Sequence, residues 1–184
     1  MQPLLSEMIK KERWDRVLPY IQGDILDIGC SWTSLPDRVA ELTSYTGVDT
    51  NLEALTYCRK KYPQHQFLQC DLDTEELNPG RTGFTVIVMA AVIEHLRYPE
   101  QLLRRLHPLL APTGHLLITT PSPLGDKVHQ IGGRIGLFYS EETVQHITIF
   151  NRRTLTDIAT AAGYKVIRYQ PFLFGTNQLL VAQP

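Results

Sequence analysis

Apolar positions along the chain alternate between two spacings. Leu4, Leu5, Met8, Ile9, Trp14, Val17, Leu18 and Ile21 recur with helical period and predict an amphipathic helix within residues 1–22. Asp24–Gly29 is a short apolar run ended by glycine and reads as a buried strand. Leu35–Leu42 fits a helix that Ser34 can cap, with Pro36 and Asp37 in its first turn, where a missing N–H costs little and the helix dipole favours an acid. Tyr45–Asp49 is a second strand, Asn51–Tyr62 a helix stopped by Pro63, and Gln66–Cys70 a third strand. Phe84–Ala90 (FTVIVMA) is continuously apolar, the pattern of a central parallel strand covered on both faces. Pro99–Leu110 is a helix opened by its proline, and Gly114–Thr120 a fifth strand. Residues 121–146 hold two prolines and four glycines with little periodicity, which predicts a long irregular connection of the kind that is usually functional. Asn151–Ala162 is a helix closed by Gly163, and Tyr164–Gln170 and Gln178–Ala182 are closing strands joined by a turn at Gly175.

This alternation implies one α/β domain over 1–184: an open, doubly wound, mostly parallel sheet between two helical layers. Ligands bind such sheets at the carboxyl ends of the strands, so the strand ends carry the functional question. Composition narrows the classes. The 184 residues carry 18 basic and 19 acidic side chains, a formal charge of −1, and the pI is about 6.6. Dedicated nucleic-acid binders usually carry a basic surplus, so a nucleic-acid partner is not expected. The strongest apolar stretch, 84–93, falls far short of the roughly 20 residues that span a bilayer. MQPLLSEMIKKERW places charges where a signal peptide has its apolar middle, so a cytoplasmic protein is expected. Cys30, Cys58 and Cys70 have no CxxC pair or zinc spacing and read as reduced, at least half-buried thiols.

Four strand ends are chemically distinctive. The first runs Asp27-Ile-Gly29-Cys-Ser-Trp-Thr33, and Gly29 permits a sharp turn and close approach of a ligand. The second ends in Asp49, a carboxylate placed to accept from a ribose diol. The third is followed by Asp71-Leu72, suited to an exocyclic amine and a stacked base. The fourth leads through Ala90 and Ala91 to Glu94-His95.

ILDIGC (25–30), YTGVD (45–49), FLQCDL (67–72), FTVIVMAAVIEHL (84–96) and GHLLITTPSP (114–123), in this order and spacing, resemble the class I S-adenosylmethionine-dependent methyltransferases. More narrowly they resemble small-molecule enzymes of the ubiquinone-biosynthesis type. HITIFNRRTL (146–155) is similar to the family's stretch before the last helix. The resemblance implies a three-layer Rossmann-like sheet of seven strands with the last antiparallel, and S-adenosyl-L-methionine as cofactor. It places Asp27, Gly29 and the Cys30 backbone at the methionine part, and Asp49 at the ribose with Leu52 near the adenine. Asp71 would accept from the adenine amine with Leu72 against the ring, and the Ala90 backbone would meet the methionine amino group. His95 or His146 would serve as base toward a small-molecule methyl acceptor, with transfer to oxygen. His129, Arg134, Tyr139 and His146 fall in or beside 121–150, which would cover the acceptor.

Two departures stand out. Ser31 and Thr33 occupy the second and third glycine positions of the family's Asp-x-Gly-x-Gly-x-Gly loop. Ala91 stands where metal-dependent relatives have a glutamate, so no metal is expected. Three other readings compete: a non-catalytic cofactor-binding or interaction module, an RNA 2′-O-methyltransferase, and a nicotinamide-dependent reductase, whose Gly-x-Gly-x-x-Gly fingerprint is absent.

Overall fold

In the computed structural model, residues 4–134 and 147–184 are described. Seven strands form one sheet: β1 (Gly23–Ile28), β2 (Leu42–Asp49), β3 (Gln66–Gln69), β4 (Phe84–Ala90), β5 (Leu110–Pro121), β6 (Lys165–Phe172) and β7 (Asn177–Gln183). Their order is β3-β2-β1-β4-β5-β7-β6. β7 runs antiparallel to both β5 and β6, and the other pairings are parallel. The expected α/β architecture is present, with β3 and β6 as the edges.

Helices cover both faces. α1 (Leu4–Val17) and α2 (Leu52–Lys61) pack on one. There Val17, Leu55 and Cys58 join Ile25, Tyr45, Val86, Val88, Leu117 and Leu179 in a single apolar cluster. α3 (Pro99–Leu106) and α5 (Arg152–Ala161) cover the other face. Leu102, Leu103, Leu106, Leu155 and Ala159 lie there against Leu26, Ile28, Ile87, Met89, Leu116 and Ile118. The odd and even residues of the central strands therefore feed two separate cores, which is why FTVIVMA is apolar without interruption. All three cysteines are free and buried.

Three expectations are corrected. No helix spans Leu35–Leu42. Only a 3-10 turn forms at Leu35–Asp37, because Gly23 N–H bonds the Glu41 carbonyl at 2.7 Å and Leu42 pairs with Gly23 as the start of β2. Helix Pro99–Leu110 ends at Leu106, where a 3-10 turn carrying Pro108 leads into β5. The stretch expected to be irregular from Pro121 begins with ordered elements: β5 runs on to Pro121, and α4 spans Pro123–Arg134. Ser122 starts α4, its Oγ accepting Gly125 N–H at 3.1 Å and its carbonyl accepting Asp126 N–H at 2.9 Å. Gly125 belongs there because a Cβ would lie 1.8 Å from the Thr176 carbonyl oxygen.

That close backbone approach gives a test. Gly125→Ala has to part α4 from the β6–β7 turn and is expected to destabilise the fold by about 1–3 kcal/mol, read from urea denaturation.

Candidate functional site

Parallel register aligns the functional strand ends. Ile28 pairs with Val48 on one side and Met89 on the other, so Gly29, Asp49 and Ala90 emerge side by side. Asp49 pairs with Gln69, which puts Asp71 just beyond the end of β3. The expected cofactor residues are thus brought to one edge of the sheet.

The loop after β1 keeps glycine-like backbone despite its composition. Gly29 has φ 72° and Ser31 φ 46°, both left-handed. A Cβ on Gly29 would sit 2.3 Å from Val92 Cγ2. Ser31 N–H bonds Asp49 Oδ2 at 2.8 Å, Asn51 N–H bonds Asp49 Oδ1 at 2.8 Å, and Cys58 Sγ donates to the Ser31 carbonyl at 3.5 Å. Asp49 therefore ties the loop to the start of α2, and its two oxygens retain further lone pairs for a ligand. Trp32 rests on Tyr57 of α2 with ring centroids 5.4 Å apart and is half exposed.

Asp27 is 2 % exposed and accepts a 2.5 Å hydrogen bond from the Tyr45 hydroxyl. Burial pushes its carboxyl up to about 7, against the lowering effect of the Tyr45 bond, and the nearby Asp49 charge adds to the rise. Burial also raises the Cys30 thiol, with Asp27 and Asp49 reinforcing it. Cys30 is thus a neutral apolar side chain, packed where a Cβ on Gly47 would meet its sulfur at 2.8 Å.

On the β2–β3 side, Thr50, Gln69, Asp71 and Glu75 line a cavity of about 280 Å³. Asp71 Oδ1 accepts Asp73 N–H at 3.0 Å, and Glu75 Oε2 accepts Asp71 N–H at 2.7 Å. Arg105 braces this loop by donating to the Leu72 and Glu75 carbonyls. Leu72 is 7 % exposed and belongs to the sheet core, whereas Leu52, opening α2, is half exposed. On the β4 side, a 3-10 turn at Ile93–His95 carries a buried Glu94 and a half-buried His95. The Glu94 carbonyl accepts Ile147 and Thr148 N–H at 2.9 and 3.2 Å. His146 and Tyr139 lie outside the described residues. No group of three or more His, Cys, Asp or Glu side chains among the described residues is arranged to hold a metal ion. Among them, too, no helix is long and apolar enough to cross a membrane.

Sequence reasoning missed three polar residues here. Tyr45 donates to Asp27. Thr119 and Asn177 are buried at the ends of β5 and β7, and Thr119 Oγ1 and Asn177 Oδ1 have no hydrogen-bond partner among the described residues. The signal for the last two is a polar side chain on an otherwise apolar strand, in LLITTP and NQLLVA.

A methyltransferase-domain family model matches residues 7–169. The chain belongs to the methyltransferase-domain family. An uncharacterized methyltransferase of Mycobacterium tuberculosis is 29% identical over 109 residues, 58% of this chain and 54% of that protein. A tRNA U34 carboxymethyltransferase of Syntrophotalea carbinolica is 30% identical over 136 residues, 68% of this chain and 41% of that protein. The chain spans about half the length of the curated relatives it matches. An S-adenosylmethionine-dependent methyltransferase from Mesorhizobium loti superposes with TM-score 0.72 at 15% identity, covering 94% of this chain and 96% of the other. A chain from the complex of the Haloferax volcanii Trm112 methyltransferase activator with a methyltransferase gives TM-score 0.73 at 13% identity, with 96% and 92% covered. At these identities the two structures show the shared methyltransferase fold.

Two outcomes follow from the loop and the buried acid. Left-handed backbone costs a non-glycine residue about 1–2 kcal/mol, while glycine loosens the unfolded chain by about 0.4–1 kcal/mol. Ser31→Gly is therefore expected to stabilise the methyltransferase domain by about 0.5 kcal/mol in denaturant titrations. For Asp27, the folded pKa of about 7 exceeds the ordinary carboxylate value of 3.8. Between those values the folded state holds a proton that the unfolded state has lost, so stability falls as pH rises through the window. Asp27→Asn removes that contribution, flattening the dependence by about 1 kcal/mol per pH unit between pH 4 and 7 in melts across that range.

Proposed function

We propose that this methyltransferase domain transfers a methyl group from S-adenosylmethionine to the oxygen of a small-molecule acceptor. The observation that carries the reading is the convergence of the left-handed Gly29–Ser31 loop, Asp49 and Asp71 on one sheet edge, beside an acid-lined cavity. These residues fit the cofactor chemically. Asp49 retains lone pairs for two ribose hydroxyls, and Asp71 stands at a cavity that favours a donor such as the adenine amine. Leu52 offers an exposed apolar surface to the base, and Leu72 the edge that its burial leaves. Asp27, Gly29 and the Cys30 backbone face the methionine part, with the Ala90 backbone at its amino group. The bound sulfonium supplies the electrophilic methyl group.

The chain's own part is alignment, desolvation and proton removal. Reacting atoms held about 3–3.5 Å apart and in line supply most of what such a displacement needs. His95, carried on the turn after β4, takes the acceptor hydroxyl proton. Thr119 pairs with Ala90 and lies on the same face of the sheet as Asn177. Their unpartnered polar atoms support an acceptor that hydrogen-bonds there, since a buried unsatisfied group costs about 1–3 kcal/mol. The ubiquinone-biosynthesis-like subtype and a cytoplasmic setting are part of the same proposal. The similarity to a tRNA U34 carboxymethyltransferase supports a second reading, with a tRNA acceptor.

Incubation of the purified protein with methyl-tritiated cofactor and cell extract separates these readings. Label in the small-molecule fraction supports the first and label in RNA supports the second. Cofactor binding without label in either leaves a non-catalytic module. Once an acceptor is in hand, His95→Ala is expected to lower kcat by about 10²–10⁴-fold with cofactor affinity within about twofold. Unchanged turnover in that variant removes His95 as the base.

A further inference from the structure

Thr33 replaces a family glycine, yet its side chain is 6 % exposed and turned into the fold. Its Oγ1 accepts Leu35 N–H at 3.0 Å, which fastens the loop after β1. Tyr45, 1 % exposed, crosses from β2 to β1 and donates to Asp27 Oδ2. The Tyr45–Asp27 bond lies in the buried core, where a low dielectric strengthens it, and Asp27 is the partner that can bear a negative charge at neutral pH.

Among the described residues no cation acts on the Asp27 carboxyl directly, and Lys61 acts on the neighbouring Cys58 thiol. The groups around Asp27 are the Tyr45 phenol and the Asp49 carboxylate from β2, the Cys30 thiol from the loop and the Cys58 thiol from α2. His65 packs against the Tyr45 ring at 5.8 Å, and burial lowers its pKa. We infer that Tyr45 is a positioning residue for cofactor binding: through its bond across β1 and β2 it orients the Asp27 carboxyl and favours its ionised form. The inference rests on the reading that Asp27 faces the cationic methionine part of the cofactor.

The logic is electrostatic. A carboxyl in an apolar core takes up a proton unless hydrogen bonds favour its charged form. Once protonated it offers a cationic ligand no charge. Burial drives Asp27 toward that neutral form, and the Tyr45 bond opposes the drive. Tyr45 therefore sets the pH below which the cofactor loses this partner.

Calorimetric binding of S-adenosylhomocysteine from about pH 6 to pH 9 tests this, because the variant-to-wild-type ratio cancels the ligand amine's own titration. Tyr45→Phe keeps the ring that packs on Phe67 and His65. It is expected to weaken binding about tenfold at pH 6 and hardly at all at pH 9. Asp27→Asn is expected to remove the Asp27-linked step, leaving Tyr45→Phe without further effect in that background. A pH-independent loss in Tyr45→Phe, or an equal loss in the Asp27→Asn background, overturns the positioning role while leaving Asp27 as a cofactor contact. Wild-type affinity of Asp27→Asn at every pH overturns the Asp27 reading itself.

Discussion

One backbone carbonyl governs how the sheet opens into its site. The Val48 oxygen accepts the N–H groups of both Gly29 and Cys30, at 2.8 and 3.0 Å. β1 is held between β2 and β4, so its chain has to leave the sheet within two residues. The shared acceptor fixes where it leaves, and Val92, packed where a Gly29 Cβ would go, fixes the direction. Ser31 then falls within reach of Asp49, and Thr33 turns inward to accept Leu35 N–H. The loop geometry is imposed by backbone bonding and packing. A serine therefore fits the second glycine position at the cost of local strain, without abolishing the turn.

The charges around this edge form a pattern. Asp27, Asp49, Asp71 and Glu75 gather at the ends of β1, β2 and β3, and none of them joins an ion pair among the described residues. Arg105, the cation that contacts the β3 loop, binds carbonyl oxygens. An edge of this sign favours a positively charged ligand over its neutral product, because a carboxylate field is stronger in a partly desolvated cleft than in water. A sulfonium loses its charge when it gives up a methyl group. The same field that draws the reactant in therefore holds the product less firmly.

The strand interiors were legible because burial on both faces leaves a simple mark: unbroken apolar residues such as FTVIVMA. The carboxylates at their ends were legible too, since polar residues closing apolar runs have few structural reasons to be there. Segments whose conformation depends on distant contacts were less readable. Leu35–Leu42 has helical spacing, but Gly23 N–H holds the Glu41 carbonyl and Leu42 already opens β2, so the chain leaves the helical path after one turn. Residues 123–134 read as irregular because of their glycines, yet Gly125 is there to admit the Thr176 backbone. The pairing of Asp27 with Tyr45 spans 18 positions and two strands. It became visible only once β1 and β2 were laid in register.

The sheet's two outer strands bear on how the domain behaves in a crowded solution. β3 is four residues long, and β6 carries Lys165, Arg168 and Pro171, the last without an N–H to offer. Short strands, positive charge and proline are the devices that keep an unpaired sheet margin from recruiting a strand of a neighbouring molecule. Removing the two β6 cations and its proline together would turn that border into a template for intermolecular β-pairing, even with the ligand edge intact.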